Sequence, residues 1–337
     1  MRRSREFAVV AGVGASLPSR LVTNEELASR MDTSDEWITT RTGIRQRFVV
    51  EPGAATSDLA VEAGARALKS AGMAAVDAVL LATTTPDHPC PATAPSVASR
   101  LGLTGVPAFD VNAVCSGFVY GLAVADGLIA SGAFASVLLI GADTFSTIVD
   151  GDDRATVSVF GDGAGACVLR AGRSDEPGAV LGVELGSDGG LRELIIVPDG
   201  GSRQRSAGDS AATVSGKYFS MQGKAVYKHA VRRMTQATLD VLDRVGWSVQ
   251  DVDLLVGHQA NKRILDTVVA GLGMPADRAL VNVDRVGNTA AASIPIALTD
   301  GVASGALREG RRVVLTAFGG GASWGAAALV WPDIAAT

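Results

Sequence analysis

The sequence predicts an α/β protein of five layers, αβαβα, built from two duplicated halves that each carry a mixed sheet. Short apolar runs alternate with helical stretches along the chain, as in βαβ units whose strands are covered on both faces. The second half also repeats the first in the same order. Val76-Asp77-Ala78-Val79-Leu80-Leu81, a helix ending Ala98-Ser99-Arg100-Leu101-Gly102-Leu103, and Phe109-Asp110-Val111-Asn112 match Val252-Asp253-Leu254-Leu255-Val256-Gly257, a helix ending Gly271-Leu272-Gly273-Met274, and Val281-Asn282-Val283-Asp284. Ile129-Ala130-Ser131-Gly132-Ala133 then echoes Val302-Ala303-Ser304-Gly305-Ala306. Finally Val137 to Gly141 with Phe160 to Leu169 resembles Val313 to Gly321 running on to Val330. At 337 residues there is length for two such halves, since one domain usually takes roughly 100–200. The turn-rich stretch Ala171 to Gly182 separates a first half, 1–173, from a second, 180–337.

Composition excludes several functions. Hydrophobic residues make up 47% and charged residues 19%, which describes a packed protein rather than a disordered chain, and the 5% of aromatics implies close packing of small side chains. With 35 acidic against 30 basic residues the net charge is -5, so nothing in the overall field favours nucleic acid. An anionic partner must meet a local patch, and four of the five lysines, Lys217, Lys224, Lys228 and Lys262, fall in one later segment apart from Lys69. The scattered cysteines Cys90, Cys115 and Cys167 suit a reducing cytosol and form neither a disulfide framework nor a CxxC metal site.

The basic start, Met1 to Glu6, followed by the apolar stretch Phe7 to Ala15, imitates a secretory signal. Glu6 interrupts the imitation, and Gly12, Gly14 and Pro18 punctuate the stretch as a strand running into a loop, so a buried first strand and a cytoplasmic protein are expected. Gly117 to Ala142 carries Asp126 as its one charge, yet its Gly and Ser breaks predict a buried helix, a loop and a buried strand, not a membrane span. Asp199 to Asp209 reads as an exposed polar loop.

Ligand chemistry in α/β sheets collects where strands end and helices begin, which selects a short list. Cys115 lies at such a junction, between Phe109-Asp110-Val111-Asn112-Ala113-Val114 and Ser116-Gly117-Phe118. A helix N-terminus there favours thiolate over thiol, and small neighbours admit a thioester; the competing reading is a packed, inert cysteine. Cys167, inside an Ala-Val-Leu strand pattern, takes that inert reading. His258 ends the strand Val252 to Gly257, where an imidazole can donate to a developing oxyanion, although a plain loop histidine also fits. Asn288 lies in Val286-Gly287-Asn288-Thr289-Ala290, after the strand that the repeat pairs with the one before Cys115. A pseudo-twofold axis sets these junctions face to face, so His258 and Asn288 would donate to an enolate near one thiol without metal or organic cofactor. Gly161-Asp162-Gly163-Ala164-Gly165 lacks the strand-before, helix-after context of a dinucleotide loop. Phe318-Gly319-Gly320-Gly321 could supply oxyanion-hole amides; tight turns are the alternative for both clusters.

These residues resemble β-ketoacyl-acyl carrier protein synthase III, of the thiolase-like superfamily, from the first strand to the end of the chain. Asp32-Thr33-Ser34-Asp35-Glu36-Trp37-Ile38, Arg41-Thr42-Gly43-Ile44, the Phe160 to Gly165 cluster, His258-Gln259-Ala260-Asn261, Gly287-Asn288-Thr289 and Phe318 to Gly321 carry the likeness. The resemblance implies that Cys115 takes an acyl group from acyl-coenzyme A, with the amides of Cys115 and Gly320 as oxyanion hole. It implies that His258 and Asn288 then stabilise the enolate formed from decarboxylating malonyl-acyl carrier protein. Trp37 and Arg154 correspond to a pair that sandwiches adenine, with Arg41 nearby; Lys228 and Arg263 correspond to carrier-docking residues. No cofactor beyond substrate is implied, and a homodimer is.

Two departures matter. Some members carry a lysine pair where this chain has Ala270-Gly271, so the docking patch is thinner, with Lys224 and Lys262 as candidates to compensate. Cys90 stands where the acetyl-selective enzyme has a phenylalanine closing the partner subunit's acyl pocket, so a deeper pocket and a primer larger than acetyl are expected. With the Arg-rich, Lys-poor composition of a high-GC actinomycete, this is similar to polyketide-priming ketosynthases. Housekeeping fatty-acid initiation, a synthase using coenzyme A for both substrates, and a carrier-binding member that keeps only the fold are the alternatives.

Overall fold

The computed structural model describes residues 6–208, 213 and 215–336. Its strands are β1 (Phe7–Ser16), β2 (Arg20–Thr23), β3 (Gln46–Val49), β4 (Ala78–Ala82), β5 (Ala108–Val111), β6 (Ser136–Asp143), β7 (Gly163–Gly172), β8 (Val180–Ser187), β9 (Ile195–Ile196), β10 (Ser220–Met221), β11 (Leu254–Gly257), β12 (Arg312–Gly319) and β13 (Ser323–Val330). One sheet has the order β1-β7-β6-β4-β5, another β11-β12-β13-β8, and β2-β3 and β9-β10 form two-stranded ribbons. In both large sheets a parallel pair, β4-β6 or β11-β12, continues into antiparallel β7 and β1, or β13 and β8.

Three helical layers complete the five. The helices Gly117–Ala130 and Ser293–Ala303 are apolar on nearly every side, which suits only a buried layer. Phe118, Leu122 and Ile129 from one, and Ile294 and Leu298 from the other, share a core with Leu80 and Leu139 of the first sheet and Val256 and Leu315 of the second. Each such side chain contributes about 1.5–3 kcal/mol by leaving water. The outer helices are amphipathic. Thr56–Ser70 sets Leu59, Ala60, Ala63 and Ala67 on the first sheet, and Gly223–Val245 sets Val226, Ala230, Met234 and Val241 on the second.

The expected first strand is there, but Gly12 and Gly14 do not end it. They let the outer helix lie directly on β1: a side-chain carbon at Gly12 would sit 2.4 Å from Ala71 N, and one at Gly14 2.4 Å from Ala67 N. The basic residues Met1 to Arg5 lie outside the described residues. Gly117 to Ala142 forms the expected helix, turn and strand. Within the expected polar loop, Ser202–Ala207 forms a short helix, and Asp209 lies outside the described residues.

The expected strand Val281 to Asp284 is corrected. Only an isolated parallel bridge, Leu255 with Ala279, remains, and Val283–Val286 is a helical turn. The Gln259 side chain takes the place of a strand neighbour. Its Oε1 accepts from the amides of Asn282 (3.0 Å) and Val283 (3.2 Å), while its Nε2 donates to Gly257 O and Leu280 O.

Strand register equates residues of the two halves. Ala78 pairs with Val137 as Leu254 pairs with Val313. Carried forward, Ala82 corresponds to His258 and Asp143 to Gly319. Among the described residues the non-glycines with positive φ are Val114 and Ala290, each at 48°, so Cys115 corresponds to Ala291 and Asn112 to Asn288.

Candidate active site

Cys115, His258 and Asn288 line one narrow cavity of about 40 Å³ whose other walls are apolar, among them Phe160, Phe219, Met221, Val226, Ile264 and Phe318. All three are buried, at 8%, 3% and 4% exposure. Cys115 comes from the first half and the other two from the second, as facing junctions require. The wall beside them is stiffened by Phe145, Phe160 and Phe219, with Phe145 stacked on Phe160 at 4.3 Å and Phe219 edge-on to both.

The hydrogen bonds decide what the two second-half side chains offer. Asn288 Oδ1 accepts the amide of Ala290 at 3.0 Å, just as Asn112 Oδ1 accepts that of Val114 at 3.3 Å. These Asx turns support the positive φ of Val114 and Ala290, a conformation costing roughly 1–3 kcal/mol for a non-glycine residue. With Oδ1 so engaged, Asn288 has its amide N–H₂ left to donate. His258 Nδ1 lies 2.6 Å from Ser293 Oγ, and the same oxygen accepts from Gln259 N at 3.3 Å. A hydroxyl that accepts from one amide still has its own proton to give Nδ1, and in that arrangement the imidazole proton is on Nε2. Burial pushes His258 down to about 3, so the ring is a neutral donor at physiological pH.

Cys115 sits in a single 3₁₀ turn, Val114–Ser116, that feeds the helix Gly117–Ala130. Its electrostatics depart from expectation. Burial first, and the charge of Asp143 second, push the thiol well above its ordinary range, and the opposing pull of its own backbone amide is smaller. This direction runs against the thiolate that the sequence position suggests. Gly319 brings the glycine loop against this turn, since a side-chain carbon there would lie 2.9 Å from Ala113 O, Cys115 N and Ser116 N. Ser323 Oγ bonds to Ser116 Oγ (2.7 Å), Ala113 O and Gly320 O, tying Gly320 to the nucleophile turn.

Trp37, Arg41 and Arg154 are also brought together. The guanidinium carbons of Arg41 and Arg154 lie 4.5 and 4.9 Å from the centre of the Trp37 ring. Ser34 caps the helix Asp35–Thr42, and Asn261 Nδ2 holds its end through Arg41 O at 3.0 Å. Arg154 is braced by Asp32. Lys224 and Lys228 are exposed on the helix Gly223–Val245, beside Lys262 and Arg263 at the start of Lys262–Leu272. Arg263 lies 5.8 Å from the Tyr227 ring, and Tyr227 Oη meets Thr267 Oγ1 at 2.6 Å across the two helices. Lys262 is engaged with Asp266 at 2.7 Å, so it adds less free charge to the patch than its position suggests. Cys90 is exposed on its loop and does not line the cavity of Cys115 in the single chain.

Ser293, Gln259 and the aromatic triad did not emerge from sequence reasoning. Nothing in the sequence around Ser293 sets it apart, and the three phenylalanines are separated along the chain.

Fold and site together define a condensing acyltransferase of thiolase-like architecture. Residues 109–189 match the family described as 3-oxoacyl-[acyl-carrier-protein (ACP)] synthase III, and residues 242–331 match its C-terminal part. A Streptomyces coelicolor protein named beta-ketoacyl-[acyl-carrier-protein] synthase III 5 is 60% identical over 97% of this chain and 98% of its own. The crystal structure of 3-oxoacyl-(acyl carrier protein) synthase III from Pseudomonas aeruginosa PAO1 superposes with a TM-score of 0.91, 50% identity and coverage of 97% and 99%. The priming β-ketosynthase of the R1128 polyketide pathway superposes at 0.89 with 35% identity, covering 98% of each chain. The chain belongs to the 3-oxoacyl-acyl carrier protein synthase III family.

Proposed function

We propose that this enzyme loads a short acyl group from acyl-coenzyme A onto Cys115 and condenses it with malonyl-acyl carrier protein, giving a 3-oxoacyl-carrier protein and carbon dioxide. The observation that carries this reading is the convergence of one thiol with two neutral donors in an apolar cavity. In the first step Cys115 sulfur bonds to the acyl carbon, the thioester bond to coenzyme A breaks, and the thiol proton leaves with coenzyme A. The amides of Cys115 and Gly320 would receive the tetrahedral oxyanion. In the second step the carbon–carbon bond to the malonyl carboxylate breaks, and its electron pair forms an enolate whose oxygen receives hydrogen bonds from His258 Nε2 and Asn288 Nδ2. The enolate carbon then attacks the acyl thioester, and the Cys115 sulfur departs as thiolate and takes up a proton from solvent to restore the thiol. Dryness strengthens these bonds, because donors in a low-dielectric cavity are worth more than in water.

Trp37 and Arg154, now 4.9 Å apart, would separate to take the adenine between them, with Arg41 nearby on the nucleotide. Lys228 and Arg263, flanked by Lys224 and Lys262, form a local basic surface for an acidic carrier on a chain of net charge -5. In a homodimer, Cys90 would line the partner subunit's acyl pocket and deepen it. The reading takes the protein as cytoplasmic, with no cofactor besides substrates; among the described residues no helix is long and apolar enough to cross a membrane.

The role that fits best is priming of a polyketide synthase with a starter larger than acetyl, supported by Cys90 and the likeness to the R1128 priming enzyme. Housekeeping fatty-acid initiation is the second reading, favoured by the higher identity to the Pseudomonas synthase. Turnover across acyl-coenzyme A chain lengths, with malonyl-carrier protein or malonyl-coenzyme A as extender, separates them. Preference for propionyl or branched primers with the carrier supports priming. Strict acetyl preference rejects it, and equal turnover on malonyl-coenzyme A rejects carrier dependence.

A further inference from the structure

The two halves differ at one place that the reaction above does not use. The second sheet ends β12 on Gly319, which packs so closely on the nucleophile turn that a side-chain carbon there would lie 2.9 Å from Cys115 N. The first sheet ends β6 on the corresponding residue, Asp143, which is fully buried. Asp143 Oδ2 accepts the amide of Ala291, the counterpart of Cys115, at 3.0 Å. Its Oδ1 accepts from Thr84 N (2.7 Å), Thr85 N, Thr83 Oγ1 and Thr85 Oγ1 (each 3.2 Å) at the end of β4. Gly141 makes room for this contact, since a side-chain carbon there would lie 2.5 Å from Ala291 O. The symmetry-related position thus keeps a copy of the reaction site in which Ala291 replaces the nucleophile, Ala82 replaces His258, and the carboxylate of Asp143 takes the amide that corresponds to Cys115 N.

We propose that Asp143 is a positioning residue for the condensation: it clamps the segment that carries Asn288 and Ser293 and so keeps both donors aimed at the enolate. This deepens the reading above and rests on it. Ala291 lies between Asn288, whose Oδ1 bonds to Ala290 N, and Ser293, which holds His258 Nδ1, so one carboxylate fixes the backbone that aims both donors. A carboxylate facing five donors is a strong tether, because each bond is charge-assisted. Burial pushes Asp143 up to about 6, so it remains mostly ionised at neutral pH, and its charge adds to the burial that raises Cys115.

The hydrogen-bond partners of Asp143 are Thr83, Thr84 and Thr85, just after β4, and Ala291 from the second half, and Gly163 is its β7 partner; none of these titrates. Asp162, next to Gly163, turns its carboxylate to Val50 and Ser146. Cys115 is the titratable group that feels the Asp143 charge.

The test is the pH dependence of Cys115 alkylation by iodoacetamide, followed by mass, in the wild type and in Asp143→Asn, with kcat and KM for malonyl-carrier protein measured on the same samples. The expected midpoint in the wild type lies above the ordinary cysteine value of about 8.5. In the variant it falls by about one unit or more, while kcat drops about tenfold and KM is unchanged, since a misaimed donor weakens the transition state alone. An unshifted midpoint or an unchanged kcat overturns the proposal. If Asp143→Asn does not fold, Thr83→Val, which removes one donor to the carboxylate, takes its place: a lower kcat at unchanged KM is expected, and an unchanged kcat overturns the proposal. Alkylation needs no substrate, so failure of Cys115 to take an acyl group would count against the proposed reaction and leave this result standing.

Discussion

Replacing Ser293 by alanine removes one hydroxyl and tests how His258 is made a donor. The Ser293 Oγ contact to Nδ1 is 2.6 Å long and the imidazole is 3% exposed, so water has little access to replace it. Leaving a buried nitrogen without its partner costs about 1–3 kcal/mol. Without the hydroxyl both tautomers leave Nδ1 unpartnered, so the preference for Nε2–H that the donated proton supplied is lost; the other tautomer carries its proton on Nδ1 and turns a lone pair towards the enolate. Because the ring is neutral at working pH, with its pKa pushed down to about 3, the tautomer is the variable that remains. A penalty of about 1.4 kcal/mol lowers the rate tenfold, so Ser293→Ala should slow malonyl decarboxylation and condensation about tenfold. Acyl transfer to Cys115, which does not use His258 as donor, should stay near the wild-type rate. Single-turnover measurement separates the two steps, one by the mass of the acyl-enzyme and the other by released carbon dioxide. Condensation at the wild-type rate, or an equal loss in both steps, would refute the tautomer argument.

Asn288→Asp exchanges the free N–H₂ for an acceptor facing the enolate, and condensation should fall by about 10²–10³ with acylation retained, the range for losing one oxyanion donor; retention of condensation in single turnover contradicts this. Trp37→Ala removes the ring that Arg41 and Arg154 approach, so KM for acyl-coenzyme A should rise about tenfold with kcat little changed; a kcat loss at constant KM would place Trp37 elsewhere in the cycle. His258, with its pKa lowered, stays neutral as pH falls through 6.5 and contributes no acid limb there. Asp143, raised to about 6, takes up its proton as pH falls through that value, so the kcat profile should lose activity below about 6 in the wild type and lose that limb in Asp143→Asn. A limb at 6.5 that persists in the variant contradicts both assignments.

The layered fold was legible because the duplication is written in strands of matching length and order. The register that pairs Ala78 with Val137 and Leu254 with Val313 preserves what the internal repeat suggests. The repeat also marks the junctions where Cys115, His258 and Asn288 stand, and the structure gathers all three into one cavity. What was illegible depends on close contacts across long sequence separations. Nothing local says that Gln259 will take over two amides at 282 and 283, so a strand is expected where a helical turn forms. Gly12 and Gly14 look like loop punctuation because the helix that presses on them is remote in sequence. Asp143 is an unremarked acid at a strand end until the three-dimensional equivalence with Gly319 shows which position it fills. The charge on Cys115 is likewise a property of its burial, and a helix N-terminus read from sequence carries the opposite sign of expectation.

The most direct measurement is intact-mass spectrometry of the enzyme mixed with a panel of acyl-coenzyme A thioesters, run beside Cys115→Ala. A single acyl mass increment in the wild type, absent from the variant and discharged on adding malonyl-carrier protein, is the predicted result. An enzyme that takes no increment, or a Cys115→Ala variant that still takes it, contradicts an acyl-Cys115 intermediate.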